Sequence, residues 1–187
     1  MNFKKLISST FLAIAISLSS FANTTNPDKD TKTKKTTDKK ETIVGVAASN
    51  KNFTTLVAAV KAAKLVDVLN SKGPFTVFAP VNDAFAKLPE GTVDTLLKPE
   101  NKKLLTSILT YHVVAGKFKA KDVIAAIQKN NGKFVIPTVQ GGKLTASLKE
   151  GKVILTDLKG NKSTVILTDV EASNGVVHAI DSVVMPQ

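Results

Sequence analysis

At 187 residues, with 26 lysines against 15 acids and a net charge of +11, the chain is a basic protein with room for one domain plus extra segments. Every cation is a lysine, so the bidentate arginine fork that nucleic-acid readers use on bases and phosphates is missing, and the scattered lysines read as a solvated surface. No cysteine is present, which excludes disulfides and leaves stability to packing alone.

Residues 1–22 read as a signal peptide. Lys4 and Lys5 give a positive start, Leu6 to Phe21 form an apolar and small-residue run, and Ser20-Phe21-Ala22 offers a cleavage site. Cleavage would leave no transmembrane anchor behind it. Residues 23–41 hold six Lys, three Asp and one Glu among threonines, with no large apolar side chain, and read as a disordered linker. The remainder, 42–187, carries a net +7 and is long enough for a substantial core. An exported chain without cysteine suits a bacterial envelope protein, secreted or periplasmic.

Thr42 to Asn50 suggests a first helix. Phe53, Leu56, Val57 and Val60 fall at i, i+3, i+4 and i+7 and predict a second, and Lys64 to Asn70 a third. Ser71-Lys-Gly-Pro74 is the turn into Phe75–Ala79, a strand by its alternation and composition. Pro80 ends its ladder, and Asn82 or Asp83 is expected to cap a short helix whose apolar side is Phe85 and Leu88. Thr92 and Pro99 each suit a helix start, and Leu104, Leu105, Ile108 and Leu109 make one apolar stripe. Tyr111-His-Val-Val-Ala115 then reads as a strand, and Lys121–Lys129 as a last helix with Val123, Ile124 and Ile127 inward.

From Lys133 the period changes to two. Expected strands are Lys133–Ile136, Lys143–Leu148, Lys152–Leu158, Ser163–Val170 and Val176–Met185. The turns between them carry Gly141-Gly142, Glu150-Gly151, Gly160-Asn161 and Asn174-Gly175, the last expected to need a positive φ. Helices followed by an antiparallel meander make the fold α+β.

Little in this pattern points to catalysis. His112 and His178 sit in apolar runs, where each is expected to spend a ring nitrogen on a hydrogen bond in the core. Asp181, three residues after His178, lies on the opposite strand face and cannot orient it. Two separated histidines do not make a metal site, no serine stands in a glycine-flanked elbow, and no glycine-rich loop has the strand-to-helix context of a phosphate cradle. Tyr111, the only tyrosine, reads as a half-buried ring with its hydroxyl bonded.

Three segments together resemble the fasciclin domain. Phe75-Thr-Val-Phe-Ala-Pro-Val-Asn-Asp-Ala-Phe85 is similar to that family's first motif, Tyr111-His112 to its central one, and Asn174-Gly-Val-Val-His-Ala-Ile-Asp181 to its second. The departures are Val81, where threonine is usual, and Ala179, where a larger apolar residue is common. The resemblance implies a wedge in which antiparallel strands form a sandwich and short helices pack along one side. It also implies a non-catalytic adhesion or binding role outside the cell, without a cofactor or metal. The expected partner is an extracellular protein, a polysaccharide or a cell surface, with weak attraction of the lysines to anionic polymers. The motif residues Phe75, Thr76, Phe78, Pro80, Asn82, Asp83, Phe85, Tyr111, His112, Asn174, Gly175, His178 and Asp181 are candidates either for contact or for building the fold. Some relatives carry carotenoids, so the alternative is a carrier of a small hydrophobic ligand.

Overall fold

A computed structural model describes residues 40–186. The expected signal peptide lies outside the described residues, as does the expected linker up to residue 39. The linker's last two residues already touch the domain. Lys40 pairs with Glu171, and the Glu41 carbonyl accepts from the Ser173 amide at 2.8 Å.

The element order is α1 (Ile43–Ser49), α2 (Thr54–Ala62), α3 (Val66–Leu69), β1 (Phe75–Pro80), α4 (Asn82–Ala86), α5 (Thr92–Leu97), α6 (Lys102–Tyr111), β2 (Val113–Ala115), α7 (Ala120–Lys129), β3 (Lys133–Pro137), β4 (Lys143–Lys149), β5 (Lys152–Thr156), β6 (Lys162–Ala172) and β7 (Gly175–Ile180). The strands form one sheet in the order β2-β1-β7-β6-β5-β4-β3. Neighbours from β3 to β7 pair antiparallel, as the alternating period predicts, and so do β1 and β2. The seam between β1 and β7 is parallel, with Phe75 opposite Gly175 and Phe78 opposite His178. Parallel strands 100 residues apart leave no turn signal in the sequence, so the alternation alone could not show this seam.

Two devices bend the sheet until it nearly closes. In β6 the register slips between Val165 and Leu167 and again before Val170, and Asp169 adopts φ 59°. These bulges turn the strand, whose first three residues pair with β5 and whose remainder, from Val165, pairs with β7. At the far ends of the sheet, the Val139 amide just past β3 donates to the Val113 carbonyl of β2 at 2.8 Å.

The curved sheet separates two apolar cores. One holds the inward sides of α1 to α6 against Val77, Ala79, Val177 and Ala179. The other, under α7, gathers Phe78, Tyr111, Val123, Ile127, Ile136, Leu144, Leu155 and Ile180. Each large side chain withdrawn from water there contributes about 1.5–3 kcal/mol. Strands β1 and β7 feed both cores and are buried along nearly their whole length. Burial on both faces lets apolar residues stand at nearly every position of Val176–Ile180, and lets Phe78 alternate with apolar Val77 and Ala79 in β1.

The segment 111–115 departs from its expected form. Tyr111 is the last residue of α6 and His112 its C-cap; the strand starts only at Val113. At this helix end the two side chains part, Tyr111 entering the second core and His112 lining the first. Among the described residues, no single helix is long and apolar enough to cross a membrane.

Candidate functional site

The three motif segments meet around β1. Phe75–Pro80 lies between Val113–Ala115 on one edge and Gly175–Ile180 on the other, and the Phe78 amide donates to the His112 carbonyl at 2.9 Å. Most of their polar side chains bond to the backbone of the segments around them. Thr76 is fully buried; its hydroxyl donates to the Gly116 carbonyl at 2.7 Å and accepts from the Phe118 amide at 2.9 Å. That one side chain fixes the exit from β2. Pro80 is buried at the strand end, where its missing N–H costs no ladder bond. Phe78 stacks on the His178 ring, 5.7 Å between centroids and 27° between planes, while Phe85 enters the other core and Phe75 is half-buried beside it.

The two histidines use opposite tautomers. His112 Nδ1–H donates to the Ile108 carbonyl at 2.8 Å, and Nε2 accepts from the Val184 amide at 3.2 Å. His178 Nε2–H donates to the Phe118 carbonyl at 2.8 Å, and Nδ1 accepts from the Asp169 amide at 3.2 Å. Each ring therefore carries one proton and faces an N–H with its other nitrogen, an arrangement that only the neutral form satisfies. Burial pushes His112 down to about 4, against a small rise from the Ile108 carbonyl. Burial also pushes His178 down, opposed by the Phe118 carbonyl and the Asp169 carboxylate. With both nitrogens of both rings engaged, neither histidine is available as a base or a ligand.

Asn82 does not cap its own helix, as either Asn82 or Asp83 was expected to do. The N-cap of α4 is Val81, with no side-chain bond. Asn82 Oδ1 instead accepts from the Thr54 hydroxyl and the Thr55 amide, both at 3.1 Å, and Nδ2 donates to the Lys51 carbonyl at 2.9 Å. It therefore caps α2, some 28 residues upstream, and pins the motif to the helical layer. Asp83 is exposed in the first turn of α4. Asn174 works the same way from the other motif. Its Oδ1 accepts from the Ile43 amide at 3.0 Å, and its Nδ2 donates to the Leu69 and Ser71 carbonyls at 2.7 and 3.0 Å.

Gly175 does not adopt the positive φ expected of it. Its glycine answers a close approach: a Cβ there would stand 2.0 Å from the Phe75 carbonyl oxygen and 2.8 Å from Ile43 Cδ1. Gly73 meets the same seam, its added Cβ falling 1.9 Å from the Asn174 carbonyl oxygen. The Tyr111 ring is fully buried rather than half-buried, and its hydroxyl donates to the Lys143 carbonyl at 2.7 Å. Asp181 lies away from His178; it accepts from the Thr164 amide at 2.7 Å and pairs with Lys87 at 3.5 Å. Burial pushes its carboxyl up, but the Thr164 amide and the Lys87 ammonium more than offset this, leaving it below the usual carboxylate range.

One organising residue escaped the sequence reading. Asp157, only 6 % exposed, accepts from the Lys159 and Asn161 amides, the Asn161 side chain and the Met185 amide, at 2.8 to 3.1 Å. It shapes the β5–β6 turn and fastens the C-terminal segment to it. An aspartate two residues ahead of a turn amide, with Gly160-Asn161 following, is the local signal that would have found it.

The apolar cavity in the first core, lined in part by Ile43, Leu56, Val77, Leu109 and His112, has a volume of about 30 Å³. That is roughly the space one water takes in the liquid, while a pocket for a drug-sized hydrophobic ligand spans about 300–1,000 Å³. A larger hollow of about 680 Å³ beside Lys72, Lys117 and Asn174 is open to solvent, and most of its lining surface is apolar. Among the described residues, no three His, Asp or Glu side chains converge as metal ligands would.

Comparisons with known proteins place this geometry. The fasciclin domain profile matches residues 51–186. "Protein sll1483" of Synechocystis sp. is 57% identical over 150 residues, covering 80% of this chain and 76% of the relative. "Immunogenic protein MPB70" of Mycobacterium bovis is 45% identical over 149 residues, 76% of this chain and 68% of the relative. Among solved structures, a FAS1 domain pair from the insect cell adhesion molecule fasciclin I superposes with a TM-score of 0.68 at 22% identity, over 76% of this chain and 50% of that one. The chain belongs to the fasciclin domain family.

Proposed function

We propose that this chain is a secreted or periplasmic binding module, non-catalytic, that attaches to a cell surface, a matrix polymer or another envelope protein. One observation carries the reading: apart from the exposed Asp83 and the surface pair of Asp181 with Lys87, the motif side chains with chemistry to offer are turned inward and bonded largely to backbone, as the opposed tautomers of His112 and His178 illustrate. Recognition is then left to the outer surface. The solved relative is named for cell adhesion, which supports the same reading. The carrier alternative draws no support from the cavity of about 30 Å³.

The test is genetic. Deleting the gene in the native host is expected to reduce cell retention on polymer-coated surfaces several-fold, and adding back the full chain should restore it. Retention that is unchanged by deletion would overturn the proposal.

A further inference from the structure

The outer face of β3 to β6 has a composition unlike the rest of the molecule. Register and alternation place Lys133, Val135 and Pro137 of β3 on it, with Lys143, Thr145, Ser147 and Lys149 of β4 beside them. Lys152, Ile154 and Thr156 of β5 follow, then Lys162 and Thr164 of β6. All of these are exposed or half-exposed, because α7 packs against the opposite face, on Ile136, Leu144 and Ala146. Lysines therefore stand at both ends of the face, and hydroxyls fill its middle, Thr145 directly opposite Thr156.

Three features say that this arrangement does not serve the fold. Lys149 and Lys152 are direct cross-strand neighbours, a like-charge pairing that opposes the sheet rather than supporting it. None of the five lysines takes part in an ion pair among the described residues, whose pairs involve Lys40, Lys87 and Lys119. The hydroxyls of Thr145, Ser147, Thr156 and Thr164 have no protein hydrogen-bond partner among the described residues, unlike Thr76 or Thr110, whose hydroxyls are bonded. No acid occupies the face itself; Glu150 sits at the tip of the adjoining turn, and the Asp157 carboxylate is bonded inward.

We infer that the outer face of β3–β6 docks an acidic polysaccharide, an inference that rests on the binding-module reading and names its partner. The six residue steps from Lys143 to Lys149 along β4 and three inter-strand gaps make the face about 20 by 14 Å, long enough for several sugar units. The lysine ammonium groups meet carboxylates or sulfates, which need no bidentate fork. The threonine and serine hydroxyls both donate and accept, as sugar hydroxyls require. Arginine and exposed aromatic platforms, with which single-stranded nucleic acid is held, are missing from the face.

The test uses the full chain on immobilised polygalacturonate, with neutral dextran and duplex DNA alongside, over a range of NaCl. A Lys133→Gln/Lys149→Gln/Lys152→Gln variant is expected to bind polygalacturonate at least tenfold more weakly, with a shallower salt dependence. Lys61→Gln/Lys98→Gln/Lys103→Gln removes the same charge from the helical half and is expected to stay within twofold of the wild type. Because Lys149→Gln relieves a like-charge pair, the first variant should melt no lower than the wild type, which separates lost binding from lost fold. Equal loss in both variants, no loss in either, no wild-type binding to polygalacturonate, or equal affinity for DNA would each overturn the assignment. If the assignment fails while gene deletion still abolishes attachment, the binding-module reading stands and only its partner changes.

Discussion

Replacing Gly175 with alanine is expected to lower the unfolding free energy by about 3 kcal/mol or more, a large loss for one methyl group. The cause is steric and sits at the parallel seam. The new Cβ would fall 2.0 Å from the Phe75 carbonyl oxygen, with Ile43 Cδ1 2.8 Å away on the other side. The backbone oxygen cannot swing aside as a flexible side chain would. Its strand is held in place on both edges, by β7 and by β2. Relief therefore means parting the strands that connect the two cores. Gly151→Ala is the control: φ is +76° and nothing lies within 4 Å, so its cost comes from backbone conformation alone, about 1 kcal/mol. Urea unfolding of the two variants measures the contrast. Equal losses would mean that the seam is not closely packed at this point.

Acid is the second large lever. Stability is expected to be flat above about pH 7 and to fall as the pH drops from 6.5 towards 4. In that window the unfolded chain protonates His112 near its ordinary value, whereas the folded chain, with His112 held down at about 4, does not. The unfolded state then binds more protons and gains on the native one as the pH falls. A gap of this size corresponds to about 3 kcal/mol, fully lost once the pH passes below 4. His178, lowered for the same reason, acts in the same direction. Protonation would also set an N–H against the Val184 amide in one ring and the Asp169 amide in the other. Chemical denaturation at steps from pH 7.5 to 4 checks this, with a His112→Gln variant expected to start lower and fall less steeply.

Much of the fold was legible because local rules decide it. The turns at Glu150-Gly151 and Gly160-Asn161 carry positive φ at Glu150, Gly151 and Gly160, as their sequences suggest, and the strands they join begin and end within two residues of their expected places. Phe75–Phe85, Tyr111-His112 and Asn174–Asp181 were legible as a set, through the resemblance they carry together, and the structure brings them side by side. What sequence could not show is where a side chain reaches across the chain. Asn82 has the form of a local cap but closes a helix 28 residues earlier, and Asn174 binds backbone groups more than 100 residues away. Asn174-Gly175 does close the β6–β7 hairpin as expected, but its glycine answers to the Phe75 carbonyl and not to a positive φ. The run 111–115 has no clear period, since two helix-end residues and three strand residues share five positions.

The outer face was hidden for a related reason. Its lysines are spread from Lys133 to Lys162, and only the strand register gathers them. The segments that identify the family hold the fold together, and we assign recognition to a face that carries none of their residues. Chemical-shift mapping tests this division most directly: isotope-labelled full chain titrated with hexagalacturonate, amide by amide. Shifts are expected on the outer rows of β3 to β6, around Lys133, Thr145, Lys149, Lys152 and Thr156, with Phe75–Phe85 and Gly175–Asp181 unmoved. Shifts concentrated on those two motif segments, with the outer face silent, would contradict it.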